Sequence, residues 1–333
     1  MIKRLLALAG ALAVAACGGG GSGGGSAPTA TAELTVNNSV QIAGATADAA
    51  LFSSEFDQLA NLGVLGSPGG VAVVEAGGAA SVTLARKTSQ LQAITSTSTT
   101  LVSVSESDDC PLGGTMSISA EIQNPETLSA GDNFSLSYAA CDFGDGVLAN
   151  GSISFRVTSM QGELNGDNVQ VGFDLQIANL EIAEVGDGAT IDGDMSMSLN
   201  LAPTASTVSI SGSSLSVTSG VESMMLSDYS TTVTTDLNAF PASITLQSSG
   251  FLMSSEFTGE VQFSTDIALQ VSGENNPTAG RLRITGANGA NITVIPLDAL
   301  NVRVEVDLDG DNAADEGGTF DMSWQELLQE NVI

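Results

Sequence analysis

From Thr115 onward, apolar residues recur at every second position. Met116, Ile118, Ala120 and Ile122 alternate with small polar residues, as do Phe134, Leu136 and Tyr138, and Ile153, Phe155 and Val157. Val169, Val171, Phe173, Leu175 and Ile177 continue the pattern, followed by Met195, Met197, Leu199 and Leu201. Tyr229, Val233 and Leu237, then Val261 and Phe263, then Val302, Val304 and Val306 close it. A sustained period of two predicts strands with one buried and one wetted face. Residue pairs suited to tight turns punctuate the series: Gly144-Asp145-Gly146, Asn150-Gly151, Asn165-Gly166-Asp167, Asp187-Gly188, Asp192-Gly193 and Asn288-Gly289. A glycine followed by alternating residues recurs at 151–155, 193–197, 259–263 and 280–284. The offsets of 42, 66 and 21 lie near multiples of one hairpin of roughly 21 residues. The expectation is an all-β protein: a large antiparallel meander over 115–333. It could close as a two-sheet sandwich, as a barrel, or as a strongly curved open sheet wrapped on a helix.

One amphipathic helix is expected. Leu51, Phe52, Phe56, Leu59 and Leu62 recur at three- to four-residue steps, which predicts a short N-terminal helix at about 47–62 within a lead-in spanning 33–114. Short strands are expected at Glu33–Val36, Val71–Val74 and Ser81–Ala85.

The first residues read as an address. Lys3 and Arg4 precede an apolar run from Leu5 to Ala16. That run is too short for a bilayer core, which takes about 20 helical residues. It ends in Val14-Ala15-Ala16-Cys17. This resembles the lipobox of bacterial lipoproteins. The resemblance implies cleavage of a signal peptide at 1–16, acylation of Cys17, and attachment to a membrane by lipid alone. Gly18, where an Asp would favour inner-membrane retention, implies the outer membrane. Residues 17–32 then form the lipidated Cys and a Gly/Ser-rich tether. Gly20-Gly21-Ser22-Gly23-Gly24 fits the G-x-S-x-G spacing of a nucleophile elbow, but it sits in a tether of a chain without His.

Composition narrows the function classes. The chain has 8 Lys+Arg against 38 Asp+Glu, a formal charge of −30, no His, and 4% aromatics. Phosphate binding needs clustered cations, so nucleic acid is excluded as a partner. Imidazole acid/base chemistry and His-ligated metals are absent too. Scarce aromatics argue against a membrane-spanning barrel with aromatic girdles. With Cys17 set aside, Cys110 and Cys141 remain as an even pair in an exported chain, which predicts one disulfide. It would close a loop of about 31 residues, which the chain-entropy model values at roughly 3–4 kcal/mol.

The densest acidic cluster runs from Asp307 to Glu316. Carboxylates at alternate positions on a tight loop converge, and a hard cation makes such crowding favourable. The run resembles EF-hand-like and thrombospondin-type calcium loops. That implies Asp307, Asp309 and Asp311 as ligands, Ala313 through its carbonyl, and Asp315 directly or through water. Two positions depart from it: Asn312 replaces the usual Gly, and position twelve is Gly318. A solvated turn between Val302–Val306 and Thr319–Met322 is the alternative. Trp324, the only Trp, opens a short helical turn that is expected to pin it on the sheet. Asp192/Asp194 and Asp142/Asp145 are the nearest approach to catalytic carboxylate pairs. The expected function is therefore a lipid-anchored, non-catalytic envelope module, structural or binding, with a weak calcium turn. The alternative is a carrier of a lipid or acyl chain in a curved sheet.

Overall fold

The computed structural model describes residues 29–61, 102–123, 129–144, 147–162, 168–184, 187–239, 243–272 and 276–329. Fourteen strands pair antiparallel in strict chain order in one sheet. They are β1 (Val102–Asp109), β2 (Gly113–Ile122), β3 (Asn133–Gly144), β4 (Val147–Gln161), β5 (Val169–Glu184), β6 (Asp187–Ala202) and β7 (Ala205–Ser219). The series continues with β8 (Glu222–Asp236), β9 (Ser243–Ser254), β10 (Glu260–Ser272), β11 (Ala279–Thr285), β12 (Asn291–Pro296), β13 (Asn301–Asp307) and β14 (Thr319–Ser323). Two helices flank them, α1 (Ser39–Asn61) and α2 (Trp324–Gln329). Among the described residues, β1 and β14 are the two edges of the sheet. The meander is as expected. Of the three closures, neither the sandwich nor the barrel forms; the sheet is single and open.

The helix contacts mark which part of the sheet α1 covers. α1 touches β7, β8, β9, β11, β12 and β13. In a flat sheet the outermost of these would lie about 29 Å apart, at roughly 4.8 Å per strand. α1 has 23 residues and is about 34 Å long, so by lying across the strands it covers that span. α2 packs on α1 and adds the buried Trp324 and Leu327.

The helix differs from the periodic reading. It begins at Ser39, two turns before the expected start, because its first half lies buried on nearly every side. Ile42, Ala43, Ala45, Ala47, Ala49 and Ala50 are all buried. A helix sealed all round carries no amphipathic period to read. Alanine is the best helix former, and its small side chain lets strands approach closely. Thr35 and Asn38 shape the approach to the helix: Thr35 N–H donates to Asn38 Oδ1 (2.8 Å) and Asn38 N–H to Thr35 Oγ1 (3.2 Å). The expected strand at Glu33–Val36 is this irregular lead-in instead. Those expected at 71–74 and 81–85 lie outside the described residues.

Two boundaries move. The sheet begins at Val102, ahead of Thr115. Residues 31 and 32, assigned to the tether, belong to the folded body: the N–H groups of Thr31 and Ala32 both donate to Glu260 O, at 2.8 and 3.0 Å.

Asn150-Gly151 and Asp192-Gly193 are not turns. They lie inside β4 and β6, each beside a bulge in the preceding strand. Between Tyr138↔Gly151 and Cys141↔Ala149, residues 139 and 140 face Asn150 alone. Between Ile177↔Gly193 and Leu180↔Ile191, residues 178 and 179 face Asp192 alone. Ala140 and Asn179 take positive φ there, 48° and 46°. In both cases the opposing side chain accepts the N–H of the bulged residue: Ala140 N–H donates to Asn150 Oδ1 (2.8 Å) and Asn179 N–H to Asp192 Oδ2 (2.9 Å). The following glycine then passes too close to a neighbouring carbonyl for any side chain. A Cβ on Gly151 would meet Asn179 O at 2.0 Å, and one on Gly193 would meet Ser214 O at 2.3 Å. Asn-Gly and Asp-Gly suit a bulge as well as a hairpin because both need positive φ. The 42-residue offset between these glycines therefore spans two strands, so about 21 residues make one strand and its turn, not a hairpin. Related register shifts continue through β8, β9 and β10. Bulges bend a strand and add twist, so this line is a crease along which the sheet bends.

Candidate functional site

Cys17 and the Gly/Ser tether lie outside the described residues. Cys110 and Cys141 are joined as a disulfide, with Cα atoms 5.4 Å apart. It staples the β1–β2 hairpin to β3, where Leu112 N–H also donates to Asp142 O (3.1 Å).

The acidic run forms the β13–β14 connection, because Asn301–Glu305 pair with Thr319–Ser323. Asp307, Asp309 and Asp311 each bring a carboxylate oxygen within 4.8 Å of the others. Asp315 is not part of that group; its Oδ2 accepts Leu308 N–H (2.7 Å) while its N–H bonds Val306 O (2.8 Å). The implied ligand set is thus reduced. The loop also holds itself. Asp307, buried, accepts Gly310 N–H on Oδ1 (2.7 Å) and Asn312 N–H on Oδ2 (2.9 Å). Asp311 Oδ1 accepts the N–H of Ala313 (2.8 Å). Asn312 takes φ 68°, filling the glycine position, and its Oδ1 accepts Arg283 Nη1 (3.3 Å). An oxygen-only set of three converging carboxylates suits a hard cation.

Trp324 is buried against the sheet as expected, at 1% exposure. Its Nε1–H donates to Pro277 O (3.2 Å) and Asp298 O (3.3 Å). An indole so enclosed cannot serve as a stacking platform. Asp192 and Asp194 are each engaged by backbone N–H groups, and Asp145 of the other candidate pair lies outside the described residues. Asp192 caps the bulge, and Asp194 accepts the N–H groups of Ser213 and Ser214 (2.9 and 3.1 Å). Partial burial works against ionisation of Asp194, but those hydrogen bonds outweigh it and hold the carboxyl below its usual range.

Two features have no counterpart in the spacing of residues along the chain. The first is a shallow trough of about 380 Å³ on the polar face of β1–β5. Strand register builds it from two rows. Ser103, Glu121, Asn133, Arg156 and Asp174 are successive cross-strand neighbours, and so are Ser105, Ser119, Ser135, Ser154 and Gln176. The polar half of the alternation was its available signal.

The second feature is buried acid. Glu222 opens β8, at 5% exposure, and Glu256 lies in the β9–β10 turn. They are 34 residues apart in sequence, but the pairing of Met224 with Ser254 places the two turns side by side. Oε2 of each is buried without a hydrogen-bond partner. Burial first, then the negative charges of Glu222 and of Asp48 on α1, push the Glu256 carboxyl up to about 7. Burial raises Glu222 as well.

No protein-family model, curated protein or solved structure matches this chain.

Proposed function

We propose that the chain is an exported lipoprotein held at the outer membrane by acyl groups on Cys17, and that its sheet is a non-catalytic module for binding or support. Several features favour this reading. The lipobox-like Val14–Cys17 supplies the anchor. The Cys110–Cys141 bridge suits an oxidising compartment. With −30 formal charge, the body is repelled by anionic headgroups, so attachment falls to the lipid.

The observation that carries the module reading is the division of the sheet. Apolar side chains line one face, on which α1 packs over β7–β9 and β11–β13, whereas the other presents hydroxyls, amides and the trough with Arg156 and Asp174. Such a mixed donor and acceptor surface suits a neutral polar partner. The alternative, a carrier of an apolar chain, needs open space on the apolar face, which α1 occupies over β7–β9 and β11–β13. Within this reading Asp307, Asp309 and Asp311 hold a weakly bound structural calcium.

Metabolic labelling with a fatty acid tests the anchor. Label is expected on the wild type and lost from Cys17→Ser, which should leave the membrane fraction. An unlabelled wild type, or a variant that still sediments with membranes, overturns the assignment.

A further inference from the structure

Glu222, Glu256 and Asp48 come from three separate elements: the start of β8, the β9–β10 turn and α1. Two of the three leave a buried oxygen unpartnered, and Glu222 is 95% enclosed by its 5% exposure. Among the described residues, the charged groups that raise Glu256 are Glu222 and Asp48, both acids. Two ionised carboxylates in such a place carry an uncompensated desolvation penalty. A metal is not the natural remedy, because the described acids that converge three at a time are Asp307, Asp309 and Asp311 and not this set. A proton is. It turns one carboxyl into a donor, which an orphan oxygen opposite can accept.

We propose that Glu256 and Glu222 share a proton that latches α1 and the N-terminal lead-in onto the β7–β8 and β9–β10 turns. The Glu256 turn lies where these pieces meet. Thr31 and Ala32 donate to Glu260 O, and Glu260 N–H returns a bond to Thr31 Oγ1 (3.0 Å). Phe257, next to Glu256, packs against the core. Loss of the proton sets Glu222, Glu256 and Asp48 against one another at low dielectric, and the turn, the lead-in and α1 loosen together. The latch therefore sits where the anchored end of the chain enters the sheet.

The sign of the pH effect follows from linkage. Glu256 titrates at about 7 when folded and near 4.3 when unfolded. The folded state therefore holds the proton more tightly. Its stabilisation is complete below the unfolded value and is lost as pH rises to about 7. In that window one proton changes the folding constant by at most roughly tenfold per pH unit.

The test follows unfolding of the full chain and of Glu256→Gln, which is neutral at every pH. The wild type is expected to weaken relative to the variant between pH 5 and 7, then run parallel to it. Corrected amide exchange in residues 42–50 should accelerate with pH in the wild type alone. In the wild type, carboxyl-labelled glutamate should show a carbon resonance titrating near 7, and this holds even if the variant does not fold. Parallel stability profiles, or no carboxyl titrating above the ordinary range, overturn the proposal. So does a wild type in which millimolar calcium, rather than protons, removes the difference from the variant.

Discussion

The two halves of the sheet are made from the same alternating strands, yet they are sealed differently. In β11–β13, on which α1 packs, Ile284, Ile292, Val302 and Val304 are wholly enclosed, at 0% exposure. In β3–β6, which lie away from the main α1 contacts, Cys141, Val157 and Leu180 are equally enclosed, while Phe134, Ile153, Ile177 and Leu199 keep 6–8%. The second half compensates by other means. Phe134 stacks on Phe155 with ring centroids 4.7 Å apart, and Phe173 meets Phe155 edge-on at 6.4 Å. The disulfide ties the outermost strands together. β1, an edge strand among the described residues, carries Glu106, Asp108 and Asp109, charges of the kind that discourage strand addition. The part of the sheet on which α1 packs has the helix to hold it, whereas β1–β3 have the disulfide.

Removing the staple is the strongest way to test that contrast. Replacing Cys110 and Cys141 by serine should lower stability by about 3–4 kcal/mol, because the unfolded chain regains the freedom of the closed loop. Amide exchange should rise in β1–β3 and stay slow in β11–β13. Uniform acceleration across all fourteen strands would mean that the stapled and helix-covered parts open as one unit, and the distinction would fall.

The crease that joins the halves ranks next. Gly193→Ala places a Cβ 2.3 Å from Ser214 O at a backbone angle of +147°. It is expected to cost about 1–3 kcal/mol. Asp192→Ala, which strands only the exposed Asn179 N–H, should cost roughly 0.5–1.5 kcal/mol. Thermal unfolding of the two variants side by side checks the order. If Gly193→Ala were neutral, the glycine would be an ordinary strand residue and the crease would not depend on it.

These bulges also mark how far the chain could be read unaided. The strands were legible because alternation survives in any half-buried sheet. Their bends were legible only as slips of phase. Ile177 and Leu180 are both buried three residues apart, as are Tyr138 and Cys141, and Leu226 and Tyr229. Each slip brackets a residue of positive φ, Asn179, Ala140 or Asp228. Turn-forming pairs pointed to the right backbone angle and the wrong element, since a bulge and a hairpin ask for the same conformation. The first half of α1 was hidden because burial on every side erases periodicity. Glu222 and Glu256 were hidden because register, not spacing, brings them together. The acidic loop was legible in Asp307, Asp309 and Asp311. Asp315 does not converge with them, its carboxylate accepting the N–H of Leu308.

That loop gives the smallest expected effect, and it lies in the helix-covered half. Asp307 already satisfies two backbone N–H groups, so the turn keeps its shape without an ion. Only part of the carboxylate set is left for coordination, which makes the calcium affinity weak. With the ion at about its dissociation constant, binding adds only about 0.4 kcal/mol. A calcium titration into the millimolar range should therefore raise the unfolding midpoint slightly and slow exchange in β13 and β14 while leaving β1–β6 unmoved. Asp309→Asn combined with Asp311→Asn should abolish that gain without disturbing the Asp307 bonds that shape the turn. A midpoint insensitive to millimolar calcium would make the run a solvated turn. A gain that appeared equally in β1–β6 would mean the two halves communicate across the crease, and the separation drawn from their burial would have to be given up.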